Sequence, residues 1–160
     1  MHPAAYQFVA SVAPNAPGAV LEIGSFVVNG SVRPLFMMAM RYHGIDVRGG
    51  AGVDQAIDCA EYDGDQAFDT VVSTEVLEHM PDPSELIGCA HRALKSGGLL
   101  ILTAASLGRV PHGVNGTNVG DEYYANITPE ALQVLLDGWE DVQITENAID
   151  CDLYATAVRP

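Results

Sequence analysis

Positive charge is scarce in this chain. Seven Lys and Arg stand against 21 Asp and Glu, the net charge is −14, and Lys95 is the only lysine. A nucleic-acid binder neutralises phosphates with clustered Lys and Arg. No such cluster is present, so direct binding of DNA or RNA is not expected. The acidity serves solubility, and it leaves room for a basic partner protein or a homodimer.

Cysteine is also sparse. Cys59, Cys89 and Cys151 form neither a CxxC pair nor an even framework, which predicts reduced thiols in a cytoplasmic protein. No His, Cys and carboxylate group has ligand spacing along the sequence, so no metal is expected. Long apolar runs are missing as well. The longest, Leu99 to Ala105, is far too short to span a bilayer, so no membrane association is expected. The start, MHPAAYQFVASVAP, has no cationic region followed by a sustained apolar one and does not read as a secretory signal. There is no repeat, low-complexity tract or linker, and the length of 160 residues suits one domain over residues 1–160.

What is present is an alternation of short apolar runs with helical stretches, the pattern of a mostly parallel α/β sheet. Residues 2–12 read as a helix and 19–23 as a buried first strand. Ser31 is placed to cap a helix reaching Tyr42, with Pro34 in its first turn and Gly44 ending it. On that helix Met37, Met38 and Met40 are expected to fill core space. Strands follow at 45–48, 53–57 and 69–73. Asp82 and Pro83 open a helix that runs to Lys95 and stops at Gly97 and Gly98. Residues 99–104 form the clearest strand, and Thr128 caps a helix over 129–137. The last two strands, 140–147 and 151–158, are too close in sequence for a parallel crossover and must form an antiparallel hairpin.

Ligands of open α/β sheets bind beyond the carboxyl ends of the strands. Strand one ends in Glu22-Ile23-Gly24, and a glycine there permits a sharp turn and close approach of backbone to a ligand. Strand two ends at Asp46, 22 residues past Gly24, where a carboxylate can accept both hydroxyls of a ribose. Strand three ends at Asp58, a candidate acceptor for an adenine amino group. Strand four ends in Ser73-Thr74-Glu75, followed by Val-Leu-Glu-His at 76–79. Singly, each glycine reads as a turn and each aspartate as a solvated loop residue. Together they point to a nucleotide cleft.

VLEIG (20–24), GID (44–46), FDTVVSTEVLEHMPDP (68–83) and LKSGGLLILTA (94–104) resemble class I S-adenosylmethionine-dependent methyltransferases, in the family's order and over about residues 18–158. The resemblance implies a Rossmann-like three-layer sandwich around a mostly parallel seven-stranded sheet with an antiparallel C-terminal hairpin. It implies S-adenosylmethionine as cofactor and a small-molecule methyl acceptor. Glu22, Gly24 and Ser25 would lie near the methionine end of the cofactor and Asp46 would hold the ribose. Asp58 would take the adenine amino group, with the backbone of Cys59 beside the ring. Ser73, Thr74 and Glu75 would line the methyl side. Glu75 and His79 would then lie near the acceptor.

Two departures from the family pattern stand out. Phe26 and Val28 occupy positions where the family usually has glycines. Gly49-Gly50-Ala51-Gly52 stands where it has a helix, so that helix is expected to be missing. His79 is a candidate general base or an orienting residue for the loop before the following helix. The Gly-rich stretch 106–127 is long for a connection and is expected to cover the acceptor side, offering His112, Tyr123 and Tyr124, although packing or solvation of these rings is the alternative. Two other functions compete. One is a catalytically silent binding or partner module on the same fold. The other is a nicotinamide-dependent oxidoreductase, disfavoured because GSFVVNG is not GxGxxG and the terminal hairpin does not suit that sheet.

Overall fold

A computed structural model describes residues 3–160. Seven strands form one sheet in the order β3-β2-β1-β4-β5-β7-β6. They are β1 (Ala19–Ile23), β2 (Arg41–Asp46), β3 (Gln55–Ala56), β4 (Phe68–Thr74), β5 (Leu94–Ala105), β6 (Glu140–Asn147) and β7 (Asp152–Val158). Strands β1 to β5 pair in parallel, and β7 runs antiparallel to both β5 and β6. The terminal hairpin is therefore as expected, with Asn147 opposite Asp152 at its turn.

The central strands carry unbroken apolar runs because both faces are covered. The period of two sorts their side chains. Leu21, Ile23, Val71, Leu100 and Leu102 enter the larger core. Val20, Val72 and Ile101 point the other way, into a smaller cluster with Val9, Val32 and Phe36. Helix α2 (Ser84–Ala93) supplies Leu86, Ile87 and Ala90 to the larger core, and α3 (Pro129–Leu135) supplies Leu132. Helix α1 (Pro3–Val12) supplies Val9 to the smaller one. This is the expected three-layer arrangement, unequally filled. Thr128 caps α3 by accepting from the Ala131 N–H at 3.1 Å. Among the described residues, no helix is long and apolar enough to cross a membrane.

Several local expectations are corrected. The start of the first helix at residue 2 lies outside the described residues. The helix expected from Ser31 to Tyr42 shrinks to a 3-10 turn, Arg33–Phe36. The Ser31 hydroxyl accepts from the Arg33 N–H in a tight local turn, and Val32 and Phe36 plug into the small core with Leu35 and Ala39 packed at its edge. The chain must then extend, because Arg41 and Tyr42 already pair with Ala19 and Val20. Met37, Met38 and Met40 are thus not core residues but 83%, 79% and 92% exposed.

Strand β2 starts four residues earlier than expected and contains Gly44. A Cβ on Gly44 would sit 2.5 Å from the Gly52 carbonyl oxygen and 2.7 Å from the Ser25 hydroxyl. Its role is close approach between loops rather than helix termination. Strand β3 is reduced to two residues. Helix α2 ends at Ala93, so Lys95 is not in its last turn but pairs with Asp69 at 2.7 Å. Gly97 and Gly98 lie within β5, at a register break against β4. The helix expected to be missing after β2 is indeed replaced by turns around Gly49–Gly52.

Candidate functional site

The carboxyl ends of β1, β2, β3 and β4 open onto a cleft of about 400 Å³. Its wall includes Glu22, Gly24, Ser25, Asp46, Asp58, Cys59, Thr74, Glu75, His79 and His112. The chain therefore gathers, from four separate strand ends, most of the residues singled out above. Ser73, Tyr123 and Tyr124 do not line it. The Ser73 hydroxyl donates to the Ile23 carbonyl at 2.9 Å and ties β4 to β1.

After β1 the backbone turns across the end of β2. The N–H groups of Gly24 and Ser25 both donate to the Ile45 carbonyl, at 2.9 and 3.0 Å. Gly24 has φ +81, and a Cβ there would lie 2.2 Å from Cγ2 of Val76. Only glycine meets both demands. Glu22 is 4% exposed and accepts from the Tyr42 hydroxyl at 2.7 Å. Burial outweighs that bond and pushes its pKa up to about 7.

Asp46 is positioned by three donors. The Phe26 N–H reaches Oδ2 at 3.2 Å, and the Arg48 N–H and Nε reach Oδ1 at 2.9 and 3.5 Å. With two donors already on Oδ1, Oδ2 is the oxygen that keeps capacity for a further donor. The Arg48 guanidinium lies over the Phe26 ring at 4.3 Å and donates to the Asn115 side chain at 2.7 Å. Arg48 thus links the β2 end to the 106–127 loop, a role its place in the sequence did not announce. Asp58 accepts from the Ala60 N–H at 2.9 Å. Arg92, reaching down from α2, donates to the carbonyls of Cys59, Ala60 and Tyr62 and pins this loop. Burial pushes the Cys59 thiol up to about 11, so it stays protonated at neutral pH.

At the other end, Glu75 leaves β4 with φ +57, a conformation that side chains rarely adopt. Its Oε1 accepts from the Thr103 hydroxyl at 2.9 Å and its Oε2 lies 4.0 Å from the Arg109 guanidinium. Arg109, on the long loop, also pairs with Asp152 at the start of β7. A second 3-10 turn, Leu77–His79, follows. It buries Glu78 fully, a residue that the sequence did not single out from Val-Leu-Glu-His at 76–79. Burial and the Glu75 charge raise the Glu78 pKa. Burial and the neighbouring His112 lower that of His79.

The loop 106–127 does lie over this end, placing His112, Gly113, Val114 and Gly116 in the wall. Tyr124 meets His79 edge-on at 5.4 Å and His112 at 5.0 Å, behind the wall rather than in it. Tyr123 is 46% exposed. The end around Glu78 and His79 is unusual in its unfilled hydrogen bonding: Glu78 Oε1 and Oε2, His79 Nδ1, Arg109 Nε, Tyr124 OH and Asn126 Oδ1 are all buried without a partner. Ser25 Oγ is another such atom, nearer the β1 end.

Known proteins share this fold. A family described as a methyltransferase domain matches residues 4–113. The ubiquinone biosynthesis O-methyltransferase of Xanthomonas oryzae is 32% identical over 111 residues, which is 68% of this chain and 45% of that protein. The chain thus spans less than half the length of the curated relatives it matches. Among solved structures, phosphoethanolamine N-methyltransferase 2 of Haemonchus contortus, in complex with S-adenosylmethionine, superposes with a TM-score of 0.75 at 17% identity. That match covers 98% of this chain and 52% of the other. An S-adenosylmethionine-dependent methyltransferase from Mesorhizobium loti gives 0.73 at 15% identity, covering 98% and 99%.

Proposed function

The chain belongs to the methyltransferase-domain family, and on that premise we propose that its cleft binds S-adenosylmethionine and that the protein, as one domain over residues 1–160, transfers the methyl group to a small-molecule acceptor. The observation that carries this reading is the gathering of Gly24, Asp46 and Asp58 on one wall, from the ends of β1, β2 and β3. The residues fit the cofactor. Asp46 is held by two backbone donors and the Arg48 side chain yet keeps acceptor capacity on Oδ2 for a ribose hydroxyl, and Asp58 stands exposed for an adenine amino group beside the Cys59 backbone. The close approach at Gly24 leaves the β1 loop low over the methionine end, with Glu22 and Ser25 alongside. Phe26 and Val28, in place of the usual glycines, themselves line the cleft, so the loop is reshaped rather than lost.

When bound, the cofactor supplies an electrophilic methyl group, so the protein mainly has to align the acceptor and exclude water. Thr74 and Glu75 line the methyl side. His79, kept neutral by burial, is the proton acceptor for the acceptor's hydroxyl or amine, and His112 covers it from the loop. The free cysteines Cys59, Cys89 and Cys151 support a reducing compartment, the cytoplasm. The test is thermal unfolding with S-adenosylhomocysteine and with NAD. At a concentration about 100 times Kd the sulfur nucleotide should stabilise the protein by roughly 2.7 kcal/mol. Stabilisation by NAD with none from S-adenosylhomocysteine would overturn the reading, and ligand binding without methyl transfer to any acceptor would favour a silent module.

A further inference from the structure

We propose that Glu78, His79 and His112 form a binding site for a divalent transition cation of the zinc class, with the long loop contributing one of its three protein ligands. One ligand atom from each lies within 4.8 Å of the other two. Ligand atoms around a four-coordinate zinc, each at about 2.0–2.2 Å from it, stand roughly 3.4 Å apart. Side-chain rotation on binding would have to bring the atoms up to about 1.4 Å closer. The sequence hid the site because His112 lies 33 residues beyond His79, on the far side of β5.

Each ligand is prepared for the role by a separate feature. Glu78 is wholly buried and neither oxygen has a hydrogen-bond partner. The nearby backbone N–H groups of Glu78 and Ala105 only temper the cost of burying it. A carboxylate taken out of water without a partner is heavily penalised, and a cation removes that penalty. His112 Nδ1 stands 3.2 Å from the Val110 carbonyl. A carbonyl only accepts, so Nδ1 carries the proton and Nε2 keeps its lone pair. An imidazole fixed through its other nitrogen by a backbone carbonyl is the usual orientation of a metal-bound histidine. His79 Nδ1 is buried without a partner, and its ring meets that of His112 edge-on at 5.2 Å.

Carboxylates stand close to the cluster, Glu75 beside Glu78 and Glu122 near His79, with Arg109 and Arg48 offsetting part of their charge. Two imidazoles with one carboxylate select zinc-like ions over magnesium or calcium, which prefer all-oxygen shells. His79 and His112 both line the cleft, so a fourth position opens toward it. The cation would fasten the loop to the turn after β4. If the methyl-transfer reading also holds, the cation would stand where an acceptor oxygen arrives and would take over from His79 the task of easing its deprotonation, because an imidazole bound through one nitrogen and protonated on the other keeps no lone pair for a proton. Cation binding itself does not depend on that reading.

The experiment uses protein stripped with a chelator and then dialysed free of it. Zinc is titrated by calorimetry and cobalt by its visible absorption, on the wild type, His112→Ala, Glu78→Gln and the control His43→Ala. One equivalent should bind, with the intense absorption of four-coordinate cobalt. His112→Ala and Glu78→Gln should each weaken binding by at least about tenfold, and His43→Ala should leave it unchanged. His112 is on a surface loop, so its variant reports even if Glu78→Gln fails to fold. Absence of a stoichiometric site in the wild type, or wild-type affinity in His112→Ala, would overturn the proposal.

Discussion

On the proposed reading the cleft has a nucleotide end around Asp46 and Asp58 and an acceptor end around Glu78 and His79, and the two are built on different terms. At the nucleotide end the polar groups are already held. Asp46 takes three donors, Asp58 takes one, and Arg92 pins the carbonyls between Cys59 and Tyr62. At the acceptor end a buried carboxylate, an imidazole, a phenol, an amide and a guanidinium all carry atoms with no partner. Buried polar groups are rarely left so. The first end is preorganised and needs only its ligand. The second still has buried polar atoms to satisfy.

The preorganised end should break most sharply at Gly24. Gly24→Ala combines a left-handed backbone with a Cβ placed on Val76. Strain and overpacking together should cost about 2–4 kcal/mol, measured by denaturant unfolding, and should displace the loop that borders the methionine end. Unchanged stability would mean that the β1 turn is not held as described.

Glu22 offers a pH test of the same end. Its folded pKa, about 7, exceeds the ordinary 4.5 because of burial. A group bound more tightly to its proton in the folded state supports folding fully below its unfolded pKa. That support is lost as pH rises through its folded pKa. The ligand-free wild type should therefore lose about 3 kcal/mol relative to Glu22→Gln between about pH 4 and 8. Parallel pH profiles for the two proteins would show that Glu22 is solvated. A smaller effect is expected on cofactor affinity. Asp46→Ala should weaken S-adenosylhomocysteine binding by roughly 1.5–3 kcal/mol in calorimetry. Asp58→Ala should cost less, because backbone around Cys59 still faces the ring. Equal losses would erase the distinction between a buried and an exposed contact.

How legible these two ends were follows from the physics of each. The nucleotide end is written in short-range signals. An apolar strand, then Gly24, Asp46 or Asp58 at its end, is visible in a few residues, and the parallel order places them together. The terminal hairpin was equally plain, because three or four linking residues permit no other geometry. The Met37–Met40 segment misled because its apolar content resembles a helix face. The register of Arg41 and Tyr42 against β1 leaves no length for one. At the acceptor end the informative contacts are long-range. Glu78 looks like any glutamate, and His112 meets it only because the loop after β5 returns across the turn after β4. Tyr123 and Tyr124 were indistinguishable in sequence, while the structure exposes one and packs the other on two histidines.

Tyr124 therefore provides the finest test of the incomplete end. Its hydroxyl is buried and has no partner. A hydroxyl satisfied by hydrogen bonding contributes about 1 kcal/mol on average, whereas an unsatisfied one costs its desolvation. Tyr124→Phe keeps the ring that packs on His79 and His112 and removes only that oxygen. In the metal-free, ligand-free protein the substitution should leave stability unchanged or raise it by up to about 1 kcal/mol. Chemical denaturation of the two proteins measures the difference. A loss of stability of that size instead would mean that the hydroxyl already has a partner, such as an ordered water, and that the acceptor end is less open than its unpaired atoms indicate. Tyr123→Ala, at an exposed position, serves as the reference and should stay within about 0.5 kcal/mol of the wild type.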